Sequence, residues 1–220
     1  MMVETNLTLS GLKNRSDLHV ARKIWHMSGV FTMFAAWVFL PYWASMTLLT
    51  LGWLVFVPAD FLRQKNPDFN RSLASVFRPI MRSNELNRLA GTTYLITGIL
   101  LITIFFNKGV VALSLLFLAF ADPIASYIGI KYGKDKLFGH KSVQGFVAAF
   151  VVCTTLCFLF LFYNQVQEYI LIVSLLAGLV GALAELIPVA KLDDNFTMPV
   201  ASSIGLSVLF YFFGYFSYFN

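Results

Sequence analysis

The sequence predicts an all-α fold: a polytopic integral membrane bundle of about seven transmembrane helices, folded as one membrane domain over residues 1–220, with its N-terminus cytoplasmic. Three observations predict it. Hydrophobic residues make up 58% of the chain and charged residues only 12%, about half the charged share of a soluble domain. The apolar residues gather into seven runs, each near the roughly 20 residues a spanning helix needs. The basic residues crowd into alternate connections between those runs, as the positive-inside rule requires.

Residues 1–23 form a polar cytoplasmic segment without the apolar core and small-residue cleavage site of a signal peptide. The first helix covers 24–40 and ends at Pro41; the second covers 42–58. A basic cytoplasmic stretch, 59–90, follows. Its apolar residues at 69, 73, 76, 77, 80 and 81, interleaved with arginines, suit a helix lying in the headgroup layer, interrupted at Pro79. The same stretch also suits a plain basic connector. The third helix is 91–106, and Asn107-Lys108-Gly109 turns it into the fourth, 110–128. A Gly- and Lys-rich loop occupies 129–142, and the remaining helices cover 143–163, 167–187 and 197–217.

With the N-terminus inside, 15 of the 16 Lys and Arg residues fall on the cytoplasmic side, Lys13, Arg15 and Lys191 among them, and only Lys108 falls outside. The net charge of +5 is thereby explained by membrane orientation rather than by nucleic acid. Cys153 and Cys157 sit one helical turn apart with no His or further Cys beside them, which reads as packing rather than metal or redox chemistry.

Chemistry enters at Asp122. An aspartate at mid-membrane costs about 2.5–3.5 kcal/mol on insertion scales, so such acids face protein interior or water. Pro123 donates no backbone hydrogen bond, and the helix is expected to bend or break there. Downstream, Lys134, Lys136 and Lys141 with Gly129, Gly133 and Gly145 combine point charges suited to phosphate with backbone open to close approach. Lys141 and Ser142 stand at the start of the fifth helix, where free N–H groups favour an anion. At the end of the sixth helix, Glu185, Asp193 and Asp194 offer hard oxygen ligands on the same side of the membrane, and Mg²⁺ takes one or two carboxylates plus phosphate oxygens. Taken alone, Asp193-Asp194-Asn195 also reads as a cap on the seventh helix. Arg22, Lys23 and His26 at the entrance of the first helix, and Glu85 and Arg88 before the third, read on chemistry alone as ordinary flanking anchors. Two partial motifs are excluded. "GIKYGK" is one residue short of a P-loop and lacks the Ser or Thr. "DPIASYIGIKYG" lacks the Gly, Arg and later aspartates of enzymes that transfer phospho-alcohols from CDP-lipids.

Together these stretches resemble the CTP-dependent lipid-alcohol kinases: dolichol kinase, phytol kinase and the CTP-using diacylglycerol kinase. "RKIWH" at 22–26, "ELNRLAGTTYL" at 85–95, "ADPIASYIGIKYGK" at 121–134, "KSVQG" at 141–145 and "DDNFTMP" at 193–199 carry the resemblance, in the family's order. Its specific part is Asp122, Ala125, Gly129 and Gly133 followed by Lys141, Ser142 and Gly145; Gln144 departs from an expected Glu. The resemblance implies transfer of the γ-phosphoryl group of CTP to the hydroxyl of a membrane lipid such as phytol, a polyprenol or diacylglycerol. Lysines and helix N–H groups would hold the triphosphate, and Mg²⁺ would sit on some of Asp122, Glu185, Asp193 and Asp194. Asp122 is the expected base, because a desolvated carboxylate is a stronger one. Arg22, Lys23, His26, Glu85, Arg88 and Asn195 are carried over as family-matched positions. Two other activities suit the same residues: a phosphatidate cytidylyltransferase, which attacks the α-phosphorus instead, and a membrane transporter using Asp122 and Glu185 as ion ligands.

Overall fold

A computed structural model describes residues 18–139, 141–188 and 192–219; Lys13, Arg15 and Lys191 lie outside these. Nine α-helices appear among the described residues: α1 (Val20–Phe39), α2 (Tyr42–Lys65), α3 (Pro67–Val76), α4 (Gly91–Phe105), α5 (Lys108–Leu116), α6 (Asp122–Lys131), α7 (Val143–Tyr163), α8 (Ile170–Leu186) and α9 (Asp194–Phe212). A two-stranded antiparallel hairpin, β1 (Lys136–Phe138) with β2 (Lys141–Ser142), lies between α6 and α7. Gly139 turns it with φ +54°, a conformation that suits a residue without a Cβ.

Each of the seven apolar runs falls on a helix. Among the described residues, four helices are long and apolar enough to cross a membrane: Tyr42–Lys65, Lys108–Lys131, Val143–Tyr163 and Asp194–Phe212. Two shorter apolar helices are Gly91–Phe105 and Ile170–Leu186. The helix from Lys108 to Lys131 is the axis of the bundle: every residue from Gly109 to Ala119 is buried. By contrast, α2 and α7 keep large apolar side chains such as Leu51, Val55, Val147 and Val151 more than half exposed, the outward face expected of helices in lipid.

Several boundaries differ from the sequence reading: α8 starts at Ile170 rather than 167, α9 runs Asp194–Phe212 rather than 197–217, and α2 differs most. Pro58 does not end the second helix; α2 continues seven residues to Lys65. The reason lies in its last turns, where Asp60 and Arg63 are buried and paired to each other, Arg63 Nε donating to Asp60 Oδ1 at 2.5 Å. Arg63 also donates to Asn70 Oδ1 and to the carbonyls of Glu85 and Arg88. Asp60 Oδ2 accepts from Thr93 Oγ1 and the Ala90 N–H. This polar knot anchors the connection to α4. Within that connection α3 is the expected short helix. Asn66 caps it by accepting from the Asp68 and Phe69 N–H groups, and it stops at Val76, ahead of Pro79.

Candidate active site

Asp122 sits where the central helix changes pitch. Between α5 and α6 the chain forms a π turn over Phe117–Ala121. Pro123 brings no N–H, and its ring excludes the usual partner four residues back; a widened turn absorbs both problems. The helix does not break at Pro123: it runs on through the π turn from Lys108 to Lys131. The widening leaves a carbonyl over, and Leu118 O accepts a hydrogen bond from His26 Nε2 at 3.1 Å. A carbonyl only accepts, so Nε2 carries the proton. The same nitrogen lies 3.8 Å from Asp122 Oδ2. Beside it, Lys23 Nζ donates to Ser126 Oγ, one turn beyond Asp122, at 2.6 Å.

The second contribution comes from the hairpin and the start of α7. Ser142 caps α7, its Oγ accepting from the Gly145 N–H at 3.2 Å, and it is 1% exposed. The glycines serve packing here. A Cβ on Gly133 would collide with Gly129 O and with Ser142, and one on Gly145 would lie 3.0 Å from Ala125 O. They let α6, the hairpin and α7 touch, which brings Lys141 over the mouth of the bundle. Gly129, Ser142 and Gly145 line the resulting pocket. Gly133, Lys134 and Lys136 do not. Lys136 Nζ donates to Gly129 O, and the Lys134 N–H donates to Gln144 Oε1. Gln144 also donates to Asp135, so the position that departs from the expected Glu braces the hairpin.

Lys141 joins the third contribution. Its Nζ lies 2.5 Å from Glu185 Oε1 and 3.2 Å from Asp194 Oδ2. Burial works against the ammonium, but Glu185, Asp194 and Asp122 outweigh it and hold the Lys141 pKa above the usual lysine range. Asp193 is the N-cap of α9, accepting from the Asn195 N–H at 3.1 Å. Glu185 is 2% exposed at its side chain and spent on Lys141. Asp122, with a side chain 20% exposed, is the acid in the pocket least tied to protein partners.

The pocket thus gathers Lys23, His26, Asp122, Lys141, Glu185 and Asp194 from α1, α6, β2, α8 and α9. Asp122 lies among cations rather than in an apolar pocket, so desolvation is a weaker reason for it to act as base than the sequence suggested. No three His, Cys, Asp or Glu side chains among the described residues stand close enough to hold a metal alone. Carboxylates with room beside them still fit an Mg²⁺ that arrives on phosphate oxygens, since such an ion needs only one or two from the protein.

Relatives with this arrangement of sequence exist. The chain is 30% identical over 211 residues to CTP-dependent diacylglycerol kinase 1 of Saccharomyces cerevisiae, covering 86% of this chain and 73% of that one. It is 30% identical to the protein of the same name from Schizosaccharomyces pombe, covering 71% and 77%. The chain belongs to the CTP-dependent diacylglycerol kinase family. An uncharacterised protein of Rickettsia prowazekii is 29% identical over 89% of this chain and 96% of its own length. No family model matches the chain, and no solved structure does.

In this member of the CTP-dependent diacylglycerol kinase family, the two outlying motifs hold the pocket in shape. Arg22 makes a two-pronged pair with Glu85, at 2.6 and 2.9 Å, and donates to Ile80 O. Glu85 also accepts from the Arg82 and Gly91 N–H groups. Asn195 Nδ2 donates to Gly91 O at 3.2 Å. These are not lipid-facing anchors: they tie α1, α4 and α9 together at one wall of the pocket, which Arg22 and Asn195 line. Burial opposes the charge on Glu85, but Arg22 and the two N–H groups hold its pKa below the usual carboxylate range. Arg88 contributes its carbonyl to the Arg63 knot and stays outside the pocket. Two polar lining residues were missed in the sequence, Arg82 and Ser126. Arg82 is one of six basic residues in 59–90, and nothing local sets it apart.

Proposed function

We propose that the chain transfers the γ-phosphoryl group of CTP to the hydroxyl of a membrane lipid alcohol, with diacylglycerol the leading acceptor. The observation that carries this reading is Lys141: a charged ammonium held at the mouth of the bundle by Glu185 and Asp194, in a pocket it shares with Asp122, Lys23 and His26. Phosphoryl transfer is mostly positioning and charge neutralisation, and the pocket supplies both. Lys141, Lys23 and Arg82 face the phosphates. The lipid hydroxyl oxygen attacks the γ-phosphorus, the bond to the bridging β–γ oxygen breaks, CDP leaves, and the hydroxyl proton passes to Asp122. Mg²⁺, held by Asp194 together with phosphate oxygens, would neutralise charge on the triphosphate and leave Asp122 to take the proton. The crowding of 15 of 16 basic residues onto one side supports a pocket facing the cytoplasm, where nucleotide is found.

The test uses purified protein in phosphatidylcholine vesicles with γ-labelled CTP and diacylglycerol, phytol or a polyprenol. Labelled phospholipid with release of CDP is the expected result. Release of pyrophosphate with an unlabelled lipid would mean attack on the α-phosphorus and would overturn the reading.

A further inference from the structure

A second cavity, of about 230 Å³, lies deeper in the bundle between α1, α2, α4 and α5. Met33 and Trp37 of α1, Gly52 of α2, Ile96 and Ile99 of α4 and Leu115 of α5 line it. It stands in register with the pocket. On α1, Met33 and Trp37 are seven and eleven residues beyond His26, on the same helical face. On the central helix, Leu115 is seven residues before Asp122, with the π turn between them. Helix α4 begins at the pocket with Gly91, whose carbonyl holds Asn195, and reaches the cavity at Ile96 and Ile99. Seven residues of helix are about 10 Å, so three helices place the cavity about 10 Å below the pocket, toward the bilayer centre.

The cavity has little for water to bind. Its hydroxyls are already donated to helix carbonyls: Thr32 to Ser28 O, Ser45 to Ala36 O and Thr103 to Leu100 O. An apolar cavity of about 150 Å³ stays dry and takes a molecule such as benzene. It also opens sideways. A Cβ on Gly52 would meet no atom within 4 Å, and Leu48 and Phe56 at its rim are more than half exposed. Resting on the lipid-kinase reading of the pocket, we propose that this cavity is the acceptor's acyl subsite: one hydrocarbon chain enters between α1 and α2 and lies beneath the His26–Asp122 pair, so that the cavity length selects the chain and sets the depth of the hydroxyl.

The test combines labelling and kinetics in phosphatidylcholine vesicles. A diacylglycerol with a diazirine near one acyl terminus is irradiated and the adducts are mapped by mass spectrometry. Adducts are expected on Met33, Ile99 and Leu115, competed by unlabelled diacylglycerol, and lost in Gly52→Phe. In the kinase assay, Gly52→Phe is expected to raise the ratio of kcat/KM for dioctanoylglycerol over dioleoylglycerol by about tenfold or more. Leu175→Phe, on the exposed face of α8, leaves that ratio unchanged. If Gly52→Phe does not fold, Ala36→Leu on the facing wall reads the same ratio. Adducts spread over outward residues such as Leu171 and Leu175, or a ratio unmoved in a folded variant, overturn the subsite. A wild-type protein that phosphorylates no lipid overturns the kinase reading, and the adduct map then still decides the cavity.

Discussion

Lys141 and Asp122 have separable duties in the proposed reaction, and substitution separates them. Lys141 holds a fixed charge against the triphosphate, so Lys141→Ala is expected to cut kcat by about 10²–10³, the cost of losing one preorganised group facing developing charge. Asp122 is proposed to accept the proton; Asp122→Asn is expected to lose about 10²–10⁴ while leaving nucleotide binding measurable. Equilibrium CTP binding, measured beside turnover, distinguishes the two: it weakens in the lysine variant and persists in the aspartate variant. An Asp122→Asn protein with wild-type turnover would remove Asp122 from the chemistry. Asp122 stood out in the sequence because a charge is conspicuous in an apolar run, and Lys141 because it stands with Ser142 at the start of a helix. Arg82 and Ser126 did not. One is a basic residue among many in 59–90, the other an unremarkable serine in a helix, and each acquires its place only when α1 and the 77–90 connection fold over α6.

At the scale of elements, the pocket depends on contacts made at and behind its wall. Arg22 and Glu85 join the start of α1 to the turn before α4, and the knot of Asp60, Arg63 and Asn70 holds that turn from behind. Removing one partner of such a buried pair costs about 3–5 kcal/mol, so Glu85→Gln is expected to unfold at a lower temperature than wild type near neutral pH. The pH dependence has a definite sign. Glu85 has a lower pKa folded than unfolded, so its stabilisation is fully present above the unfolded value of about 4.3 and fades as pH falls through the folded one. Thermal unfolding in detergent from pH 7 to pH 3 should show wild type converging on the Glu85→Gln protein at the acid end. Parallel curves would mean that Glu85 binds its proton equally well folded and unfolded, so that its charge adds nothing to the fold. The glycines act at the same scale: Gly133→Ala forces a methyl against Gly129 O and Ser142, and is expected to destabilise by about 1–3 kcal/mol. Sequence assigned these glycines to ligand contact because spacing alone does not say whether a bare backbone faces a phosphate or another helix. The continuation of α2 past Pro58 was hidden for a related reason. Asp60 and Arg63 look like solvent residues until one sees that they satisfy each other.

For the whole molecule, the seven apolar runs were readable from composition and length, since hydrocarbon admits few alternatives to a helix whose backbone bonds are internal. The distribution of charge favours one orientation, and the proposed chemistry requires the same one. The hairpin carrying Lys141 and the turn carrying Asp194 must meet CTP on the cytoplasmic side, while the Asn107–Gly109 turn, with the one basic residue assigned outside, must face away. The native thiols, Cys153 and Cys157, are fully buried, so a cysteine introduced at an exposed position dominates labelling. With right-side-out vesicles and an impermeant maleimide, Lys108→Cys is expected to react at once, whereas Leu137→Cys at the exposed tip of the hairpin reacts only after permeabilisation. Labelling of the two positions from the same side would require an odd change in the number of spans between α5 and the hairpin, dividing a helix that runs unbroken from Lys108 to Lys131. Exchange of the two sides would keep the bundle but turn the pocket away from its nucleotide, and the kinase proposal would fall with the topology.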